Sequence, residues 1–222
     1  MKIFVVTPYF KTEPAWLQQA HDSVKAQTIP ATHIVVCDGS EPAQLQEFQG
    51  VHILLQRNYQ DYGNTPRLIG SYRAVTAEAD AIAYLDADNW YQPTHLEGLV
   101  HFAQERNLDA CSSARMLHRL DGTPMIKCPH VTGKPLIDTS CLLIMKSAFP
   151  HLIAWTLYPQ AVAADTDNRL WAYLRMAGAR LDFLDQPTVA YRTRHHVHYR
   201  LAGEPPPPEA VNRTDMRGDV YV

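Results

Sequence analysis

Four apolar runs of strand length follow one another at short intervals, and each stops at a polar or turn-forming tip. Ile3 to Val6 ends at Thr7-Pro8-Tyr9. His33-Ile34-Val35-Val36-Cys37 ends at Asp38-Gly39-Ser40, and Val51 to Leu55 runs into a punctuated polar loop at 56–66. The fourth, Ala81-Ile82-Ala83-Tyr84-Leu85, ends in Asp86-Ala87-Asp88-Asn89, followed by Trp90-Tyr91. Between these runs lies helical periodicity. Thr12 can cap a helix that Glu13 and Pro14 open, with Trp16, Leu17, Ala20 and Val24 on its apolar face. A short helix is expected around 41–48. Pro66 opens another through about residue 79, with Leu68, Ile69, Tyr72 and Val75 inward. Strand and helix signals alternating in this way predict an α/β fold, a mostly parallel sheet with helices on both faces.

The second half continues the alternation. Pro93 starts a helix carrying Leu96, Leu99, Val100 and Phe102, and residues 109–119 and 135–146 read as strands joined through the turn pair Asp121-Gly122. An amphipathic helix at about 166–177 and short strands near 180–184 and 188–193 close a single domain, 1–202. Its halves are 1–90 and 91–202. Residues 203–222 form a tail stiffened by Pro205 to Pro208, without a core of its own.

Composition removes several classes. Lys+Arg 20 against Asp+Glu 23 gives a net charge of -3, which excludes nucleic acid as a main partner on electrostatic grounds. Cys37, Cys111, Cys128 and Cys141 are scattered with no Cys-x-x-Cys pair, so zinc spacing is absent and reduced thiols are expected. The apolar start, Met1 to Val6, is too brief for a signal peptide, and the apolar region at 141–164 is cut by Lys146, Pro150 and His151. The reading is a soluble, cytoplasmic protein.

In open α/β sheets, ligands bind beyond the carboxyl ends of the strands. Asp86 and Asp88 stand at such an end and can both reach one hard cation. Oxygen ligands suit Mg²⁺ or Mn²⁺ carrying a diphosphate rather than zinc. A strand running into an acidic turn would look the same, since Asp and Asn are ordinary turn residues. Thr7-Pro8-Tyr9 and Asp38-Gly39-Ser40 come to the same rim if their strands are neighbours. There a carboxylate can accept the imide N–H of a uracil and Tyr9 can stack on the base; two plain strand-ending turns are the competing account. Asp61, Gly63, Asn64 and Arg67 lead into the next helix, where Arg67 can pair with phosphate, reach the base, or simply face solvent.

The order of these motifs resembles the GT-A glycosyltransferases, and within them it is similar to the large inverting family 2. The motifs are Thr7-Pro8-Tyr9, Val35-Val36-Cys37-Asp38-Gly39-Ser40, Gly63…Arg67 and Tyr84-Leu85-Asp86-Ala87-Asp88-Asn89. The likeness extends to about residue 195. It departs at Cys37, where the family commonly has a second acid, and at Pro66-Arg67-Leu68, where Ala-Arg-Asn is common. The resemblance implies a GT-A, Rossmann-like sheet with a small acceptor-side second sheet. It implies a nucleotide sugar, usually UDP-linked, held by the first half and a glycan or lipid-linked acceptor by the second, the latter met at the membrane surface. Asp38 would take the uracil, Asp86 the ribose or the metal environment, and Asp88 an Mn²⁺ or Mg²⁺ ion on the diphosphate, assisting departure of UDP.

Transfer to a hydroxyl also needs a base on the opposite face. The family's base begins a helix in the second half. Here Ala164-Asp165-Thr166-Asp167-Asn168-Arg169-Leu170-Trp171 offers Asp167, which fits the family spacing better, and Asp165; a helix cap is the competing role for either. In Tyr191-Arg192-Thr193-Arg194-His195-His196-Val197-His198, the resemblance points to His195 or His196 at the metal or diphosphate and to Arg192 or Arg194 at phosphate. The same alternation also reads as an exposed strand or a loop. Trp90 and Tyr91 can pack on a sugar ring or in the core. The expected activity is metal-dependent inverting sugar transfer. A non-catalytic binding module and a nucleotidyltransferase or phosphohydrolase using the same acids are the rivals.

Overall fold

The computed structural model describes residues 1–134 and 136–211. Most of the Pro-rich tail's end therefore lies outside the described residues. At the centre is β1 (Ile3–Tyr9), buried along its whole length, paired in parallel with β2 (Ala31–Cys37) on one side and β4 (Ala81–Tyr84) on the other. β3 (Gly50–Leu54) adds in parallel to β2. Beyond β4 the sheet continues through β8 (Leu142–Met145) and β6 (Ala110–His118), both antiparallel to their predecessors, then β9 (Leu181–Arg192), parallel to β6, and β5 (Trp90–Tyr91). β7 (Pro124–Lys127) pairs with β6, and the spatial order is β3-β2-β1-β4-β8-β6-β9-β5. The strands expected to form a second small sheet are thus continuous with the first.

Side chains alternate across the sheet with the period of two that a strand imposes. Phe4 and Val6 of β1 join one core with Ile34, Tyr84, Trp155 and Trp171, while Ile3 and Val5 join another with Val24, Leu85, Leu96 and Leu99. The first is covered by α2 (Asn64–Thr76) and α4 (Thr166–Met176), the second by α1 (Pro14–Lys25) and α3 (His95–Glu105). Helices on both faces are why β1, β2 and β4 read as unbroken apolar runs.

Four local expectations are corrected. Residues 41–48 form no helix. Side chains there supply the acceptors that helical carbonyls would: Tyr9 accepts the Ala43 N–H and Gln18 the Gln46 N–H. Asp121-Gly122 closes the β6–β7 hairpin rather than leading to the 135–146 strand, and in that range the strand among the described residues is Leu142–Met145. The two short strands near 180–193 are one strand, β9, with a register break beside Pro187, a bulge being where a strand tolerates proline. Of the histidine-rich alternation, Tyr191 and Arg192 end strand β9, residues 193–195 are a connection, and from His196 the chain is helical, in α5 (His196–Leu201). Residues 146–165 are largely 3₁₀ helix, in two pieces, Lys146–Thr156 and Gln160–Asp165. Among the described residues no helix is long and apolar enough to cross a membrane.

Candidate active site

Because β1, β2 and β4 are parallel neighbours, their carboxyl ends open on one cavity of about 1140 Å³. Pro8, Tyr9, Asp38, Gly63, Arg67, Asp86 and Asp88 all border it. Thr7 does not. It is fully buried one residue short of the rim, where its hydroxyl meets Nε2 of His33 at 2.8 Å. Tyr9 reaches the rim, but its ring packs with Leu17, Val35, Cys37 and Ala87, and its hydroxyl is held by Nε2 of His52 at 2.8 Å and by the Ala43 N–H at 3.0 Å. The ring expected to stack on a base is built into the wall; the neighbouring Phe10 is the exposed aromatic at that rim.

Asp38 is buried, accepting the Tyr59 N–H at 3.1 Å and Asn58 Nδ2 at 3.0 Å. Burial raises its pKa, and the Tyr59 bond opposes that. Opposite, Gly63 takes a left-handed φ of 82°, and a Cβ there would press within 3.0 Å of the Pro8 ring, so glycine is required. The turn lets α2 begin at Asn64 rather than Pro66, with Asp61 Oδ2 accepting the Thr65 N–H at 2.8 Å. One turn on, Arg67 lies buried and spans the floor. Its Nη2 donates to Asp86 Oδ1 at 2.5 Å and its Nη1 to the Tyr62 carbonyl at 2.8 Å. Arg67 is therefore the partner of Asp86, not a solvent-facing helix residue.

Asp88 is the more perturbed acid. Burial, then the carboxylates of Asp86 and Asp138, push its pKa up to about 7, with Arg194 pulling the other way. Among the described residues no three His, Cys, Asp or Glu side chains converge into a metal set. Of the carboxylates that line the cavity, Asp86 and Asp88 stand together at the end of β4, with His195 also at the wall. Two hard oxygen donors crowded together suit a divalent cation that brings further oxygen ligands on its own substrate. His196 is directed elsewhere, its Nε2 3.0 Å from the Ala210 carbonyl, and it does not border the cavity.

The far wall belongs to the start of α4. Asp167 borders the cavity; Asp165 does not. Asp165 sits at the N-cap position, where it accepts Asn168 Nδ2 at 2.9 Å and lies 3.8 Å from Arg169. Asp167 accepts the Asn168 N–H at 2.8 Å and the Thr139 hydroxyl at 3.4 Å. This wall is tied to α2 by Asn64, whose Nδ2 donates to Thr166 Oγ1 and the Ala163 carbonyl, both at 2.9 Å.

The two arginines of the last cluster differ. Arg192 is buried between the rings of Trp16 and Trp90, at 4.7 and 5.0 Å, and donates to the Asp88 carbonyl, the Leu120 carbonyl and Gln19 Oε1. Trp90 is a packing partner of Arg192 and His118 and does not border the cavity. Tyr91 is core, its hydroxyl donating to the Tyr84 carbonyl. Arg194 is exposed at the cavity wall, 5.2 Å over Trp16.

Sequence reasoning missed Asp138 and Arg115. Asp138 lines the cavity, pairs with buried Arg115 and caps the 3₁₀ turn Thr139–Cys141 by accepting the Ser140 N–H at 3.0 Å. Ser140 Oγ in turn accepts the Asp86 N–H at 3.1 Å and Asn89 Nδ2 at 3.0 Å. The signal was there in Asp138-Thr139-Ser140, a cap spacing. Tyr62 also lines the wall, as does Trp16, whose spacing predicts helix core.

Parallel strands β3-β2-β1-β4 with an acid-floored cavity at their carboxyl ends form a GT-A arrangement, and solved structures share that fold. TarS of S. aureus matches with a TM-score of 0.63 at 18% identity over 90% of this chain and 38% of that one. TarS 1–349 in complex with UDP-GlcNAc matches with a TM-score of 0.65 at 19% identity over 88% of this chain and 59% of that one. The profile of glycosyl transferase family 2 matches residues 4–153, and the chain belongs to that family. The succinoglycan biosynthesis protein ExoW of Rhizobium meliloti (strain 1021) is 31% identical over 104 residues, 43% of this chain. The chain spans about a third of ExoW's length, 32%.

Proposed function

We propose that this chain is a metal-dependent inverting glycosyltransferase, moving one sugar from a UDP-sugar to a hydroxyl of a glycan or lipid-linked acceptor. The observation that carries the reading is one cavity with Asp86 and Asp88 at a strand end on its floor and Asp167 at a helix start on its wall. TarS has been crystallised with UDP and with UDP-GlcNAc, which supports the donor class. Asp38 accepts the imide N–H of the uracil, while Arg67 fixes Asp86 for the ribose and Arg194 faces the diphosphate. Asp88 and Asp86 would hold Mn²⁺ or Mg²⁺, which when bound supplies charge neutralisation for the departing diphosphate, and His195 would face that diphosphate from the wall. Asp167 takes the proton of the acceptor hydroxyl as its oxygen bonds to the anomeric carbon. The bond from that carbon to the phosphate oxygen breaks, UDP leaves from the opposite face, and the configuration inverts. Residues 1–202 act as one domain, with the acceptor approaching from the 91–202 half; a lipid-linked acceptor would be met at the membrane surface from the cytoplasmic side.

The test is turnover of a panel of UDP-sugars with Mn²⁺ in the presence of candidate glycan acceptors. Sugar transfer with release of UDP is expected. Phosphate release without transfer would turn the reading into a phosphohydrolase, and nucleotide binding without turnover into a binding module.

A further inference from the structure

Between the β3 end and α2 the backbone is held in an uncommon shape. Gln60, Tyr62 and Gly63 have φ of 56°, 58° and 82°. Glycine adopts the left-handed region freely, but a bulky aromatic there is strained and persists only where its surroundings over-determine it. Here they do. The Gln60 carbonyl accepts Gln160 Nε2 at 2.9 Å, the Tyr62 carbonyl accepts Arg67 Nη1 at 2.8 Å, and Asp61 caps the helix that follows. Yet the ring these contacts hold is 54% exposed, and it stands at the cavity.

Backbone strain of this kind clusters at ligand clamps and active sites, and here it holds an aromatic ring at the cavity. Its position selects the ligand. Through Gln60 and Asn64 the segment is fastened to Gln160, Ala163 and Thr166, the wall that carries Asp167. We propose that Tyr62 is a sugar-stacking residue, its ring face receiving the apolar C–H face of the acceptor's pyranose beside the base. This rests on the reading of Asp167 as the base. Because Arg67 holds both the Tyr62 carbonyl and Asp86, the platform is braced against the donor side of the same cavity.

The experiment uses the full chain with methyl β-D-glucopyranoside and methyl β-D-galactopyranoside as probes, with and without UDP and Mn²⁺. Saturation-transfer NMR reads the ring contact, and calorimetry reads UDP binding. Wild type and Tyr62→Phe should transfer saturation to the ring protons of at least one glycoside. Tyr62→Ala and Tyr62→Gly should lose it at least fivefold, with the UDP dissociation constant changed less than twofold. Tyr62→Gly relieves the strained φ, so its melting temperature should equal or exceed wild type, which a packing residue would not allow. No transfer to either glycoside from wild type, or undiminished transfer from both truncated variants, overturns the proposal. Failure of wild type to bind UDP instead refutes the donor reading, and the glycoside arm without UDP still decides Tyr62.

Discussion

Replacing Arg67 by Leu tests the floor of the cavity most sharply. Arg67 is 6% exposed, and its guanidinium holds Asp86 at 2.5 Å, the Tyr62 carbonyl at 2.8 Å and Asn64 Oδ1 at 3.3 Å, 5.3 Å over the Trp155 ring. Leucine fills much of the volume but leaves one carboxylate and two further acceptors unmet. Breaking a buried ion pair from one side costs about 3–5 kcal/mol. The Asp86 side chain keeps 28% exposure and can recover some hydration, so the lower end applies. For a chain of this size about 3 kcal/mol corresponds to a fall of roughly 6–12 °C in melting temperature. Removing both charges in Arg67→Leu/Asp86→Leu should restore much of that loss, because no uncompensated carboxylate remains. UDP binding should be lost in the double variant and weakened in the single one. Lysine should not rescue, since one ammonium cannot span Asp86 and the Tyr62 carbonyl as the fork does. Circular-dichroism melts with parallel UDP titrations measure both effects. A melting temperature for Arg67→Leu within 2 °C of wild type would refute the account of this ion pair, an outcome about a third of the smallest fall expected.

Asp167→Asn should lower kcat by roughly 10²- to 10⁴-fold, the usual span of general-base catalysis, with UDP affinity and melting temperature unchanged. Steady-state kinetics on the transfer reaction check it, and full activity would move the base elsewhere. Stability should fall on acidification. Burial holds His33 (with His21 adding to it) and His95 down to about 3, so below about 6.5 the unfolded chain binds protons that the folded one refuses. The loss approaches about 2.7 kcal/mol per pH unit for the two together and runs from about pH 6.5 down to about 3. Urea unfolding at pH 7, 6 and 5 reads it, and a flat profile would contradict it.

How much of this was legible in the sequence follows the physics of each feature. The central strands were legible because burial on both faces writes an unbroken apolar run, and the site because such strands deliver their terminal residues to one rim. Asp38, Arg67, Asp86 and Asp88 follow from local pattern and Asp167 from the family resemblance, and all border the cavity. What failed was one-residue resolution. Thr7 and Tyr9 lie on a strand that runs to the rim, and only the packing of His33 and His52 shows that Thr7 turns inward and that the Tyr9 ring is walled in. Arg192 and Arg194 share a sequence signature and both stack on Trp16 at the cavity, but Arg192 ends β9 buried against Trp16 and Trp90 while Arg194, just beyond the strand, is exposed. The Arg115–Asp138 pair was hidden because its partners lie 23 residues apart on elements whose pairing no local pattern fixes.

The central claim is that the acids at the carboxyl ends of β2 and β4 hold a uridine diphosphate with a divalent cation. Calorimetric titration of UDP into the protein, with Mn²⁺ and after its removal by chelation, tests it most directly, with GDP and CDP beside it. The account predicts saturable UDP binding that is weakened by chelation, by Asp88→Ala and by Asp38→Ala. UDP at a hundredfold excess over its dissociation constant should raise stability by about 2.7 kcal/mol. No binding of any of the three nucleotides, or UDP binding indifferent to both Mn²⁺ and Asp88, would contradict it.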